Sequence, residues 1–197
     1  MSSRDRKSNP WTVLRSEVKF ESQHFRVRED VVSFRGAAGR SYSSVRMNSY
    51  GVCVAPVGGD GCVTLVGQYR YVLDRYTWEL PGGAMRVGSN PLDAAQAELS
   101  EETGLIADQW LKMIDGATSI GMSDEIVQGY VAWDIGQGRS NPDPEEELAL
   151  RRLPFGEAVE MALRGEISHL IGAALLLAID ARLRQGKLPE SLAGLLR

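Results

Sequence analysis

Cysteine and histidine are scarce in this chain of 197 residues, which has two of each. Cys53 and Cys62 cannot supply the several disulfides that staple small secreted domains. Both lie in apolar runs, where a cysteine behaves as a small core residue. His24 and His169 are isolated in the sequence, so ordinary surface or core positions are expected for them. The composition therefore argues against a disulfide scaffold.

Long hydrophobic runs and an excess of basic residues are also missing. The longest apolar run, 170–179, is well short of the about 20 residues that a membrane-spanning helix needs. The N-terminal sequence MSSRDRKSNP is polar and contains no apolar signal segment. The net charge of −4 lacks the basic field of proteins that bind long nucleic acids. We therefore expect a cytoplasmic protein that binds neither a membrane nor a long nucleic acid.

The pattern of apolar residues predicts an α/β fold. Hydrophobic residues make up 43% of the chain and charged residues 24%, as in an ordinary globular domain. Alternating and short apolar segments predict strands, and two of them flank the hairpin signal Gly58-Gly59-Asp60-Gly61. The predicted strands cover 11–20, 25–34, 40–47, 51–57, 62–66, 76–80, 110–120, 126–135 and 148–153. The predicted helices cover 91–103, 154–164 and 168–184.

Strands on both sides of one central helix, with further helices at the end, fit an α/β/α sandwich with a mixed β-sheet. An antiparallel meander of N-terminal strands precedes it. We expect three parts in the chain: N-terminal strands in 1–47, the main domain in 48–185, and a short tail in 186–197 that could pair with another subunit.

The stretch 82–105 carries the most distinctive chemistry. Asn90 is a good N-cap, Pro91 suits the first helical position, and Gly104 is the expected stop. Glu98 shares a helix face with Glu101 and Glu102, and like charges at this spacing repel each other. Two interpretations follow from spacing alone. The carboxylates either form a solvated acidic face or bind a hard cation such as Mg²⁺, which would remove the repulsion.

This stretch resembles the Nudix box, G-x5-E-x7-R-E-U-x-E-E-x-G-U, where U is apolar. The match starts at Gly83 and includes Glu98, Leu99, Glu101, Glu102, Gly104 and Leu105. Two positions depart from the pattern, because Ser89 replaces the first Glu and Ala97 replaces the Arg. Segments such as Gln68-Tyr69-Arg70 and Trp78-Glu79-Leu80-Pro81-Gly82-Gly83 are similar to the ADP-ribose pyrophosphatase branch, and the resemblance covers about 11–183.

The resemblance implies a fold, a reaction and an assembly. It implies a Nudix-like sandwich that hydrolyses a nucleoside diphosphate sugar to a nucleoside monophosphate and a sugar phosphate. The cofactor would be Mg²⁺, with Mn²⁺ as a possible substitute. The protein would be a homodimer in which the N-terminal strands contribute to dimerisation and to binding the base.

The resemblance also assigns roles to residues. Glu98 and Glu102, one helical turn apart, are the best pair of metal ligands, followed by Glu101 and the backbone carbonyl of Gly82. Glu146, in a late loop, is the nearest match to the general base, with Glu145 and Glu147 as alternatives; a solvated loop edge is the competing interpretation. Glu101 is also assigned to catalysis.

Substrate contacts are predicted on both sides of the box. Arg70 is expected to contact a phosphate, although it could be a surface charge at a strand end. Trp11 and Tyr42 match aromatic positions against the base, although core or interface positions are common for such residues. Glu79 is expected to bind metal or to orient the loop. Ser123 and Glu125, with Asp124 between them, are expected to line the sugar end.

The two departures leave alternatives open. In the box, the Arg braces the loop and orients the first Glu of the core, which Ala97 cannot do. Because Ser89 removes the other charge as well, no partner is left unpaired, and we expect an active enzyme, although its activity could be altered. A nucleotide-binding module that does not cleave its ligand is one alternative. Hydrolysis of oxidised nucleoside triphosphates is another, which the N-terminal meander makes less favourable.

Overall fold

The computed structural model describes residues 8–139 and 147–197. Its contacts divide the chain into two compact units. The first comprises Met1–Ser49 and Ser119–Glu125, and the second comprises Tyr50–Thr118 and Ile126–Arg197. The sequence predicted N-terminal strands as a separate part, but it did not predict that 119–125 would join them.

The first unit is built on a three-stranded antiparallel sheet. Its strands are β1 (Trp11–Glu21), β2 (Phe25–Phe34) and β3 (Arg40–Met47), in the order β1-β2-β3. The predicted meander is therefore present. Irregularities interrupt β1 between Val13 and Arg15 and again between Val18 and Phe20. Every residue of β1 after Trp11 is exposed, including the apolar Val13 and Leu14.

The second unit contains the remaining elements of the described residues. The strands are β4 (Ser49–Pro56), β5 (Cys62–Arg70), β6 (Arg75–Glu79), β7 (Ala84–Arg86), β8 (Leu105–Ala117), β9 (Ile126–Gln137) and β10 (Ala149–Pro154). The helices are α1 (Pro91–Thr103), α2 (Phe155–Leu163), α3 (Leu170–Arg184) and α4 (Glu190–Leu196), and a single 3₁₀ turn covers Tyr71–Leu73. None of the described helices is long and apolar enough to cross a bilayer.

Two sheets organise this unit. The first has the order β7-β4-β9-β8, in which β4 and β9 are parallel and β8 and β9 are antiparallel. The predicted mixed sheet is thus confirmed. The second has the order β10-β5-β6, and both of its strand pairs are antiparallel.

Alternate residues of β4 and β9 explain the layers of the sandwich, because successive side chains of a strand point to opposite faces. Val54 and Ala132 belong to a buried cluster with Leu99 of α1. Their neighbours Ala55 and Val131 belong to a different cluster with Leu176 of α3. The mixed sheet therefore has α1 on one face and α3 on the other, as the predicted α/β/α sandwich requires.

The structure differs from the predicted elements mainly in four places. β5 extends to Arg70, four residues beyond its predicted end. β8 starts at Leu105, directly after the helix stop and five residues before the predicted start. Its first three residues, Leu105-Ile106-Ala107, are all apolar and do not alternate with polar residues, so the sequence prediction missed them. β7 has only three residues and was missed. The predicted tail contains α4, whose Leu192 is 0% exposed and belongs to the main core cluster. A helix of seven residues is too short for its periodicity to be read reliably from sequence.

Candidate active site

Helix α1 has the ends that the sequence predicted. The side-chain oxygen of Asn90 accepts a hydrogen bond from the Leu92 N–H at 3.1 Å. Gly104 adopts the left-handed conformation with φ of 69°, and its N–H donates to the Ser100 carbonyl. No basic residue lies in the last turn. The glutamates therefore stand at the end of the helix where its dipole disfavours negative charge.

The segment before the helix is fixed against β4 by backbone hydrogen bonds. The Val54 N–H donates to the Pro81 carbonyl at 2.8 Å, and Val52 and Gly83 exchange bonds of 2.9 and 3.2 Å. A Cβ atom on Gly82 would lie only 2.3 Å from the Val52 carbonyl oxygen. Glycine at this position therefore allows the loop backbone to lie directly on the strand.

Gly82 and Gly83 contact two of the predicted metal ligands. Glu102 is buried, with 6% exposure, and its Oε2 accepts a hydrogen bond from the Gly82 N–H at 2.9 Å. Glu98 lies against the next residue, since a Cβ atom on Gly83 would be 2.3 Å from Glu98 Oε1. Glu101 is exposed. The fold thus brings Gly82, Glu98 and Glu102 together and leaves Glu101 on the open side of α1.

The donors at this place suit a hard cation. Within 8–139 and 147–197, no three acidic, histidine or cysteine side chains converge as a ready-made metal cage. Mg²⁺ does not need one, because it is usually held by one or two carboxylates while keeping several waters. Glu98 and Glu102 with the Gly82 backbone provide oxygen donors of this type. The assignment of Gly82, Glu98, Glu101 and Glu102 as metal ligands stays a prediction.

Arg70 and Glu79 form a second polar cluster on the hairpin of β5 and β6. Arg70 Nε donates to Glu79 Oε1 at 2.9 Å and its Nη2 donates to Oε2 at 2.7 Å. Thr77 Oγ1 donates to the same carboxylate at 2.5 Å. The sequence placed Arg70 on a phosphate and Glu79 on a metal or the loop, but did not predict that the two would pair with each other.

The Glu79 carboxylate is ionised although only 5% of the residue is exposed. Burial alone would raise its pKa, but the hydrogen bonds from Arg70 and Thr77, with the charges of Arg70 and His169, lower the pKa below its ordinary value. Burial also raises the pKa of the Cys53 thiol on β4, and the charges of Glu102 and Glu79 raise it further. Glu79 lies three residues before Gly82, whose N–H donates to Glu102, so the two acidic groups lie in the same region of this unit.

Gln68 belongs to this region and was missed from the sequence. It lies opposite Thr77 in the pairing of β5 with β6, on the face that also carries Arg70 and Glu79. The residue is 8% exposed, and its Nε2 has no hydrogen-bond partner in the described part of the chain. The signal that could have found it is the two-residue spacing from Arg70, which places both side chains on one face.

The aromatic residues predicted for the base lie together in the first unit. The Trp11 ring is 4.8 Å from that of Phe34 and 6.2 Å from that of Tyr42, between ring centroids. The guanidinium of Arg40 lies over the Trp11 ring at 4.8 Å. The Tyr42 hydroxyl donates to the Gly121 carbonyl at 3.0 Å. Trp11 and Tyr42 therefore share one cluster next to the segment 119–125.

The segment with Ser123, Asp124 and Glu125 is bound to β3. Asp124 accepts hydrogen bonds from the Met47 N–H at 2.9 Å and from the Arg46 guanidinium at 3.3 Å. Ser123 Oγ accepts from the Glu125 N–H at 3.0 Å. The Asp124 carboxylate thus anchors the segment to β3, a role that the sequence did not predict for it. Contact of Ser123 and Glu125 with a sugar stays a prediction.

The predicted general base lies beyond the described structure. Glu146 and its alternative Glu145 fall outside the described residues. Glu147, the other alternative, is described and exposed, two residues before β10. The choice among the three therefore stays a prediction.

Comparison with known proteins gives one family match and several relatives. The NUDIX domain model matches residues 47–171. An ADP-ribose pyrophosphatase of Mycobacterium tuberculosis is 35% identical over 172 residues, which cover 85% of this chain and 82% of that protein. A methanol dehydrogenase activator of Bacillus methanolicus is 33% identical over 111 residues, covering 55% of this chain and 60% of that protein.

Another relative and a solved structure extend the comparison. An ADP-ribose pyrophosphatase of Bacillus subtilis is 30% identical over 118 residues, covering 59% of this chain and 64% of that protein. A crystal structure of an ADP compounds hydrolase superposes with a TM-score of 0.81 and covers 92% of this chain and 100% of its own. Its sequence identity is 22%, so this likeness concerns the fold.

Proposed function

The chain belongs to the NUDIX domain family, and we propose that it hydrolyses the pyrophosphate bond of a nucleoside diphosphate sugar such as ADP-ribose. The products would be a nucleoside monophosphate and a sugar phosphate. The observation that carries the proposal is the placement of two glutamates of α1 on the Gly82-Gly83 corner. Sequence similarity over most of the chain to an ADP-ribose pyrophosphatase supports the same substrate class.

The proposed reaction requires neutralisation of phosphate charge and a positioned water. A bound Mg²⁺, or Mn²⁺, would polarise the phosphoryl group and lower the pKa of a coordinated water. Glu98 and Glu102 would hold the ion together with the Gly82 carbonyl. The Gly82 N–H already orients the Glu102 carboxylate. Glu101, exposed one residue earlier, is a further candidate ligand or catalytic group. Glu146 is our proposed general base, with Glu145 and Glu147 as alternatives.

Arg70 is our proposed phosphate contact, and Glu79 would hold its guanidinium in place. The bidentate pair fixes the plane of the fork, while 40% of the Arg70 side chain is exposed. A charge that is oriented before the substrate arrives loses little freedom on binding. We thus assign Glu79 a positioning role, and direct binding of metal by Glu79 is the less favoured prediction.

The base and the sugar would be recognised by the first unit. We propose that Trp11 and Tyr42 contact the base and that Ser123 and Glu125 contact the sugar. The cluster of Trp11 with Phe34 and Tyr42 supports the first assignment, since aromatic rings stack well on flat heterocycles. The anchoring of 119–125 to β3 by Asp124 supports the second, because it holds both polar residues in a fixed segment.

The protein is also proposed to be a homodimer. Four apolar side chains of β1 are between 50% and 58% exposed: Val13, Leu14, Val18 and Phe20. Such a concentration of exposed apolar residues on one strand is typical of an interface. Light scattering coupled to gel filtration would measure the mass, and Val18→Glu is expected to shift the dimer toward monomer. The cytoplasmic location expected from the sequence stays a prediction.

The central experiment is a substrate panel with purified protein. ADP-ribose and other nucleotide sugars are incubated with Mg²⁺ or Mn²⁺, and monophosphate release is measured. Glu98→Gln and Glu102→Gln should each lower turnover by about 10²- to 10³-fold while the circular dichroism spectrum stays unchanged. Glu160→Gln, an exposed glutamate of α2, is the matched control and should retain wild-type turnover. Absence of product from every nucleotide sugar with both metals would refute the proposal.

A binding module that does not cleave its ligand is the second candidate. The observation that favours it is the replacement of the box Glu and Arg by Ser89 and Ala97, both of which are exposed. In that case calorimetry would detect ADP-ribose binding, and no product would accumulate after long incubation. The clustering of Glu98 and Glu102 at the glycine corner favours the enzyme.

A further inference from the structure

The Gln68 side chain carries a buried donor that no residue of the described structure satisfies. Gln68 is 8% exposed, and its Nε2 finds no hydrogen-bond partner among the residues that the structure describes. An unpaired buried donor destabilises a protein, because it loses its bonds to water and gains nothing in return. Such groups are rare in native structures, and each one calls for an explanation.

The neighbouring acceptor on the same sheet face is already engaged. Glu79 accepts hydrogen bonds from Arg70 through both of its oxygens and a further one from Thr77. Thr77, directly opposite Gln68, directs its hydroxyl hydrogen toward Glu79 at 2.5 Å. The Glu79 carboxylate therefore bonds to Arg70 and Thr77, and the Gln68 Nε2 has no partner among the described residues.

We propose that Gln68 is a substrate-binding residue whose Nε2 donates a hydrogen bond to an oxygen of the substrate's diphosphate. The proposal rests on the hydrolysis proposed above and deepens it. Arg70 lies two residues away on the same face of β5 and is the proposed phosphate contact. Phosphate oxygens at neutral pH only accept hydrogen bonds, so a diphosphate matches a face that presents two donors. Within 8–139 and 147–197 the Gln68 Nε2 has no acceptor, and the ligand would supply one.

One substitution of Gln68 should stabilise the fold and weaken substrate binding. Gln68→Met keeps a similar shape and removes the unpaired donor. The melting temperature should rise by about 2–4 °C. KM for ADP-ribose should rise about ten- to hundred-fold with little change in kcat, because the contact is made in the ground state and in the transition state alike.

Two controls make the result specific. Gln109→Met places the same substitution at an exposed position of β8 and should change neither KM nor the melting temperature. ADP, which has the diphosphate but no second sugar, serves as a competitive probe. Gln68→Met should weaken inhibition by ADP by the same factor by which it raises KM for ADP-ribose. If ADP inhibition is unchanged, the donor does not contact the diphosphate, and the proposal is overturned.

A structural role for Gln68 gives different results. In that case Gln68→Met would lower the melting temperature, and any loss of activity would follow the loss of folded protein. Failure of both Gln68→Met and Gln68→Leu to fold would overturn the proposal in the same way. If the wild type cleaves no nucleotide sugar, the proposed hydrolysis fails, and calorimetry with ADP on the wild type and Gln68→Met still decides the role of Gln68.

Discussion

The two adjacent glycines before α1 should respond very differently to the same substitution. Neither Gly82 nor Gly83 has φ in the left-handed region, so an alanine at either position meets no backbone strain. What differs is the atom that its Cβ would meet. At Gly83 the nearest atoms belong to the Glu98 carboxylate, at 2.3 to 2.6 Å, whereas at Gly82 they belong to the backbone of β4.

The magnitudes follow from these contacts. Ordinary van der Waals contact begins near 3.4 Å, so in Gly83→Ala the Glu98 oxygen at 2.3 Å must move by 3.4 − 2.3 = 1.1 Å. Rotating one side chain out of the way costs about 0.5–1.5 kcal/mol. Replacing glycine by alanine offsets about 0.4–1 kcal/mol of this cost, because alanine lowers the conformational entropy of the unfolded chain. Stability should therefore change by less than about 1 kcal/mol. A displacement of about 1 Å in a catalytic group can reduce turnover about 10²-fold.

Gly82→Ala should show the opposite balance. Its Cβ would lie 2.3 Å from the Val52 carbonyl oxygen and 2.9 Å from Cys53 Cα, and neither atom can rotate away. Overpacking of this kind costs about 1–3 kcal/mol. Urea unfolding and steady-state turnover of ADP-ribose would be measured for both variants. Full turnover in Gly83→Ala with Mg²⁺ would refute the reasoning that Glu98 acts from its position on Gly83.

Two further predictions concern stability. Glu79→Gln should destabilise the fold by about 1.5–3 kcal/mol at pH 7, because Arg70 and Thr77 lose a charged partner. Since the folded pKa of Glu79 is lowered, its contribution is complete above the ordinary glutamate range and is lost as the pH falls through the folded pKa. The difference between wild type and Glu79→Gln in urea unfolding should thus shrink from pH 7 to pH 3, and a constant difference would contradict this account. Leu192→Ala in α4 should cost about 2–5 kcal/mol, since Leu192 is 0% exposed, whereas Leu170→Ala, at a leucine 74% exposed, should cost little. Equal melting temperatures for these two variants would show that α4 does not support the core.

Local signals explain why much of the second unit could be predicted. The ends of α1 are set by Asn90, Pro91 and Gly104, whose preferences operate within a few residues. The layers follow from the alternation of apolar residues in β4 and β9. The spacing of Glu98 and Glu102 on one helix face is equally local. By contrast, β7 and α4 are too short to show a period, and both were missed.

The sequence by itself determined the capped acidic helix, the meander of β1 to β3 and the family resemblance, because each depends on neighbouring residues or on a contiguous motif. Only the tertiary structure decided how the polar groups are partnered. Strand pairing brings Arg70 and Glu79 together and leaves the Gln68 Nε2 without a partner in the described residues. The approach of the loop to α1 sets Glu102 on the Gly82 N–H. Such partnerships depend on distances between different strands, loops and helices, and spacing along the sequence does not contain those distances.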